Sequence, residues 1–122
     1  MANCLHALSE PDHEVTHLRR KFRADISDPE WIGSLAKEGG WVLVSFDKRI
    51  VRNPLNKQAW LSSGLTGFFF GKGWSSRPFD EQAWRLVRWW PDITKVAARV
   101  KPGAGFLVHP NRFGKLEQLS LK

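Results

Sequence analysis

One cysteine, Cys4, stands in a chain of 122 residues. A single thiol excludes an internal disulfide framework and any multi-cysteine zinc site, and it suits a reducing cytoplasm. No apolar run reaches the roughly 18 residues that a membrane-spanning helix needs. The first residues also lack the charged, apolar and small-residue regions of a signal peptide. A soluble, cytoplasmic protein without membrane association is therefore expected. No glycine run fits a nucleotide-binding loop, and Ser45, Ser75 and Ser76 have no G-x-S-x-G context, which sets aside nucleotide motors and serine-hydrolase triads. His6, His13, His17 and His109 show no zinc-site spacing and read as structural or surface residues. Acidic side chains are scarce too: 12 Asp and Glu face 19 Lys and Arg, for a net charge of +7 and a pI near 10.1. Each phosphate neutralised by such a surface releases condensed counterions, so nucleic acid is the leading partner; the alternative is a basic charge that serves only solubility or pairs with an acidic protein.

The length is that of one ordinary domain, and a single domain over residues 1–122 is expected. Cys4 to Leu8 reads as the tail of a helix, and His13 to Leu18 as a strand with β-branched alternation. The cations Arg19, Arg20, Lys21 and Arg23 then lead to a helix over about Asp28 to Glu38, ended by Gly39-Gly40. Trp41 to Ser45 is a nearly continuous apolar strand. Asn53-Pro54 opens a helix to about Ser63, with Asn as cap and Pro in the first turn. Phe68-Phe69-Phe70 reads as the next buried strand, and Gly71 to Pro78, with Trp74, as a surface connection. Asp80 is expected to cap a helix that Pro91 stops at Trp90, with a second short helix over Asp92 to Val100. Gly105 to His109 is a late strand and Lys115 to Leu121 a candidate final one. The order βαβαβααβ is an α/β sandwich whose functional groups collect at the carboxyl ends of the strands.

On the helix from Asp80, the spacing of Ala83, Leu86, Val87 and Trp90 points these residues into the core. Trp84, Arg85, Arg88 and Trp89 then face outward, a mixture suited to a subunit interface or to stacking bases.

Two carboxylates carry the chemical reading. Asp47 follows the strand Trp41 to Ser45, where rigid backbone presents a side chain at the sheet's end. Ionised, it can bind Mg²⁺ or Mn²⁺, hard cations that prefer oxygen; the alternative is a turn Asp pairing with Lys48 or Arg49. Asp28 lies at a helix start, free to face a site if Ser27 is the cap and engaged with backbone amides if it is itself the cap. Glu30 completes the capping box Ser27-x-x-Glu30, and is a third candidate ligand. Lys48, Arg49 and Arg52 would hold a phosphodiester beside a metal at Asp47, or else form a solvated patch. Asn53 could orient a water or a phosphate oxygen, though its role as N-cap is the favoured reading.

H-E-V-x-H-L at 13–18, S-D-P-E-W-I at 27–32, E-G-G-W-V-L-V-S-x-D-x-R-I at 38–50, R-N-P at 52–54, R-L-V-R-W-W-P at 85–91 and P-G-A at 102–104 together resemble the PIN-like domains related to VapC toxins. The resemblance runs from about His6 to Leu119. It implies a three-layer α/β/α sandwich around a mainly parallel sheet, with acids holding Mg²⁺ or Mn²⁺ for RNA hydrolysis. By it, Asp28 and Asp47 are metal ligands and catalytic residues, a cognate antitoxin protein blocks the site, and the chain forms a homodimer. Family members usually begin with a strand carrying an Asp, which nothing here matches, so an N-terminal truncation, a late start or completion of the sheet by another chain is expected. A PIN-derived RNA- or protein-binding module without catalysis is the alternative.

Overall fold

A computed structural model describes residues 2–10, 13–46, 53–71, 73, 74, 76–100 and 103–119. Among them the helices are α1 (Ala2–Ser9), α2 (Leu18–Lys21), α3 (Asp28–Glu38), α4 (Pro54–Ser63) and α5 (Phe79–Arg99), and the strands β1 (Val42–Ser45), β2 (Thr66–Phe70), β3 (Gly105–Val108) and β4 (Glu117–Leu119). The strands form one sheet in the order β1-β2-β3-β4. β1, β2 and β3 run parallel, with Val44 opposite Phe68 and Phe68 opposite Phe106, and β4 returns antiparallel to β3.

Alternation along the strands divides the core into two layers. Phe68, Phe70, Phe106 and Val108 point to one face, where Leu5 of α1 and Leu86, Trp89, Trp90 and Ile93 of α5 cover them. Phe69 points to the other, against Trp31, Ile32 and Leu35 of α3 and Trp60 of α4. All three phenylalanines of β2 are almost fully buried, which only a strand covered on both faces allows. Removing each such ring from water contributes roughly 1.5–3 kcal/mol. The result is the α/β/α sandwich expected from the sequence.

Local signals place the elements on the second face. Ser27 caps α3 by accepting from the Glu30 amide, Pro29 occupies its first turn, and Gly39 ends it at φ 76°. Asn53 caps α4, and Gly64 ends that helix in the left-handed conformation at φ 71°, where a Cβ would be strained. Gly67 of β2 has a different necessity: a Cβ there would lie 2.7 Å from the Trp60 ring.

Four expectations are corrected. The segment 13–17 is not a strand: His6 Nδ1 accepts from the Val15 amide at 3.0 Å, Ser9 O accepts from the His13 amide, and His17 caps α2. Its backbone bonds go to α1 rather than to a sheet. Pro91 does not stop a helix. α5 is continuous for 21 residues with Pro91 inside it, and Thr94 Oγ1 donates to the Trp90 and Pro91 carbonyls at 3.1 Å. Once Ile93 belongs to the same helix, the buried stripe is Arg85, Leu86, Trp89, Trp90 and Ile93, so Trp89 and Arg85 face inward and only Trp84 and Arg88 of the expected outer set are exposed. Trp74 is also buried, not a surface residue, and its indole donates to the Val108 carbonyl at 2.9 Å.

Among the described residues no helix is long and apolar enough to cross a membrane.

Candidate functional site

The 11 residues of α3 make a helix about 16 Å long, comparable to the roughly 13 Å of a four-residue strand. Because Gly39-Gly40 turns α3 directly into β1, its first turn lies beside the carboxyl end of that strand. α4 starts from the same end, after the segment that follows β1, and returns to β2. The N-termini of α3 and α4 therefore meet at one rim of the sheet.

Asp28 occupies that meeting point. It is half-buried in the first turn of α3, where the helix dipole favours negative charge. Oδ1 accepts from the Trp31 indole N–H and Oδ2 from the Asn56 side-chain amide of α4, each at 2.9 Å. Trp31 is buried under α3, so its ring is a fixed support. Both donors are neutral, and no cation among the described residues pairs with the carboxylate. Ser27, not Asp28, is the cap, which leaves Asp28 free of backbone amides among the described bonds.

Glu30 is placed differently. It is exposed, with Oε1 accepting from Ser27 Oγ at 3.0 Å and Oε2 paired with Arg23 at 3.2 Å. Asn53 Oδ1 accepts from the Leu55 and Asn56 amides at 3.0 and 3.4 Å, the geometry of an N-cap. Asp47, Lys48, Arg49 and Arg52 lie outside the described residues, between two placed neighbours. On one side is Phe46, whose ring stacks on Phe70 at 4.7 Å and meets Trp74 edge-on at 5.9 Å. On the other is Asn53, at the start of the helix that carries Asn56.

A carboxylate oxygen has about two lone-pair positions, and each oxygen of Asp28 spends one on a neutral donor. The remaining positions, with no described cation beside the charge, would suit a hard divalent cation. Among the described residues no group of three or more His, Cys, Asp or Glu side chains converges, and Asp47, the other expected ligand, lies outside them.

Asn56 is the residue that sequence reasoning missed. It stands 28 positions from Asp28, and nothing in its own neighbourhood marks it apart from its place in the turn that Asn53 caps. Trp31 stands in the S-D-P-E-W-I motif, but its apolar neighbours advertise packing rather than a hydrogen bond.

Elsewhere, two surface carboxyls are shifted. The hydrogen bond from Lys21 holds Glu38 below the usual carboxylate range, and those from Trp84 and then Arg85 do so for Glu81.

No curated protein and no solved structure matches the chain. The PIN-like domain family matches it over residues 1–72, a span that runs from α1 through β2 and contains Asp28, Asp47 and Asn56. With that match over more than half its length and a mainly parallel sheet between two helical layers, the chain belongs to the PIN-like domain family, whose members point to nuclease or other nucleic-acid-related function.

Proposed function

We propose that the protein is a metal-dependent endoribonuclease of the VapC-related type, hydrolysing RNA phosphodiester bonds at the rim where α3 and α4 begin. The observation that carries this reading is the Asp28 carboxylate, fixed by Trp31 and Asn56 without a described cation to neutralise it. Asp28 and Asp47 would hold Mg²⁺ or Mn²⁺. Glu30 would have to exchange its exposed Arg23 partner to join them. Bound there, the ion supplies Lewis-acid charge and a water of lowered pKa. The chain's own residues do the positioning. Trp31 and Asn56 hold Asp28 in one rotamer, so that no ordering cost falls on the reaction. Lys48, Arg49 and Arg52 would bind the phosphate backbone and offset charge that develops on the phosphoryl oxygens. Asn53 fixes the start of α4, and with it Asn56.

The VapC resemblance extends the proposal to a cognate antitoxin that covers this rim, to a homodimer and to the cytoplasm. A basic chain with a pI near 10.1 is suited both to RNA and to an acidic protein inhibitor.

A second reading draws on the same hydrogen bonds. By linking α3 to α4 through Asn56, Asp28 serves as a structural tie, and the chain would then be a PIN-derived RNA- or protein-binding module without catalysis.

Labelled single-stranded RNA incubated with the purified chain, with and without Mn²⁺ and beside Asp47→Asn, separates the two. Cleavage that needs both the metal and Asp47 is expected. RNA that stays intact with a folded chain and Mn²⁺ leaves the binding module as the function.

A further inference from the structure

The family match ends at residue 72, before α5 and the segment that follows β3. Residues 77–115 hold eight Lys and Arg against three Asp and Glu, a surplus of five within the chain's net charge of +7. Of the aromatic rings that reach the surface within this basic region, Phe79 is 68% exposed at the start of α5, and Trp84 and Phe113 lie against each other. Trp84 is 45% exposed on the outer side of α5, and Phe113, half-buried after β3, lies with its ring centroid 6.0 Å away, tilted by 33°.

Neither ring is a loose surface side chain. The Trp84 indole N–H donates to Glu81 Oε2 at 2.9 Å, and the Arg85 guanidinium carbon lies 4.3 Å from the Trp84 ring centroid. Arg85 is buried and anchored in turn, donating to Glu81 and to Asn111 Oδ1. Phe113 rests against buried Trp89 at 5.6 Å, and the Arg88 guanidinium carbon lies 4.1 Å from its ring centroid. An exposed indole clamped by a carboxylate and backed by a guanidinium loses little entropy when a planar group stacks on its exposed part. The clamp also consumes the nearest negative charge, because Glu81 is paired with Arg85.

Arg88 and Arg112 are exposed beside these rings, and among the described residues no carboxylate pairs with either. A guanidinium stacked flat on a ring still directs its N–H edge outward, the geometry that phosphate oxygens accept. α5 begins at the carboxyl end of β2, and the segment bearing Phe113 leaves the carboxyl end of β3. The surface therefore adjoins the same rim as Asp28, on the other helical layer.

We propose that Trp84, Phe113, Arg88 and Arg112 form a stacking platform for single-stranded RNA, which holds nucleotides of a strand that crosses the rim to the candidate cleavage site. This rests on the ribonuclease reading for its substrate. Single-stranded RNA is favoured over an acidic peptide because a peptide would use the cations and leave the fixed aromatic face without a role, whereas every base has a π-face. Unlike a duplex, an unpaired strand can splay its bases onto the rings.

The test is affinity for a labelled oligouridylate of about 10 nucleotides, measured in EDTA so that hydrolysis does not intervene. Polyphosphate and polyglutamate serve as competitors that carry charge without bases. Trp84→Ala is expected to weaken oligouridylate binding about tenfold with an unchanged salt dependence, and Trp84→Phe to restore most of it. Arg112→Ala is expected to weaken it while reducing the slope of log affinity against log salt by about 0.7. Polyphosphate should bind Trp84→Ala and the unsubstituted chain alike. Unchanged oligouridylate affinity in a folded Trp84→Ala overturns the platform and leaves the ribonuclease reading standing. Polyglutamate binding that exceeds oligouridylate binding and falls with Trp84→Ala assigns the surface to an acidic protein instead. No oligouridylate binding by the unsubstituted chain removes the RNA reading itself, and the platform with it.

Discussion

The two apolar layers flanking the sheet use tryptophan in opposite ways. On the α1/α5 side, Trp74 donates to the Val108 carbonyl, Trp89 to the His109 carbonyl and Trp90 to Ser9 Oγ. Each indole there ties off a polar group of the scaffold, two of them at the carboxyl end of β3. On the α3/α4 side, Trp31 donates instead to the Asp28 carboxylate, and the buried Trp60 N–H has no partner among the described residues. The first layer closes on itself. The second ends in a carboxylate at the rim, held by a buried indole.

If the α1/α5 layer is the scaffold, breaking it should cost most. Trp89→Ala removes a fully buried ring and strands the His109 carbonyl, and it is expected to lower unfolding stability by about 4 kcal/mol in a denaturant titration. A loss comparable to that of an exposed residue would contradict the division into layers. In the other layer, Gly67→Ala drives a methyl into Trp60 and Phe69 and should cost about 2 kcal/mol. Trp60→Phe shortens the ring that is struck. A double-mutant cycle should therefore show the pair less destabilised than the sum of the single changes.

Asn56→Ala tests the rim end of that layer. It leaves Asp28 with Trp31 alone, so stability should fall by only about 1 kcal/mol, while Mn²⁺ affinity falls about tenfold as the carboxylate gains freedom. An equal effect of Asn56→Ala and Asp28→Asn on stability, with no effect of either on Mn²⁺, would mark Asp28 as a structural tie.

The smallest effect belongs to the surface. Lys21 depresses the Glu38 carboxyl below its usual range, and a group with a lowered folded-state pKa stabilises above its unfolded value of about 4.3 and loses that contribution as pH falls through the folded value. The chain should therefore exceed Glu38→Gln slightly in stability at about pH 6, and the gap should close on acidification towards about pH 3. A gap that widens on acidification would reverse the sign of the interaction.

What the sequence made legible follows the range of the forces involved. Asn53-Pro54 and Gly64 bound α4, and Ser27, Pro29 and Gly39 bound α3, because caps and left-handed glycines act within a few residues. Phe68-Phe69-Phe70 revealed a buried strand, and its burial on both faces came from the structure. Pro91 misled because its missing N–H costs one hydrogen bond, whereas ending the helix there would detach Ile93 from the stripe that begins at Leu86. Tertiary burial outweighed a local rule, and the helix face was misphased for the same reason. Of the candidate site, Asp28 was legible as an acid at a helix start. Its support was not, since the Asn56 contact joins residues 28 apart through the packing of two helices.

Direct Mn²⁺ binding, read from the loss of the free-ion electron paramagnetic resonance signal, tests the central claim that Asp28 is held for a cation. The unsubstituted chain should quench the signal, and folded Asp28→Asn and Asp47→Asn should each leave it close to that of free Mn²⁺. Quenching by Asp28→Asn equal to that of the unsubstituted chain would contradict the account and return Asp28 to the scaffold.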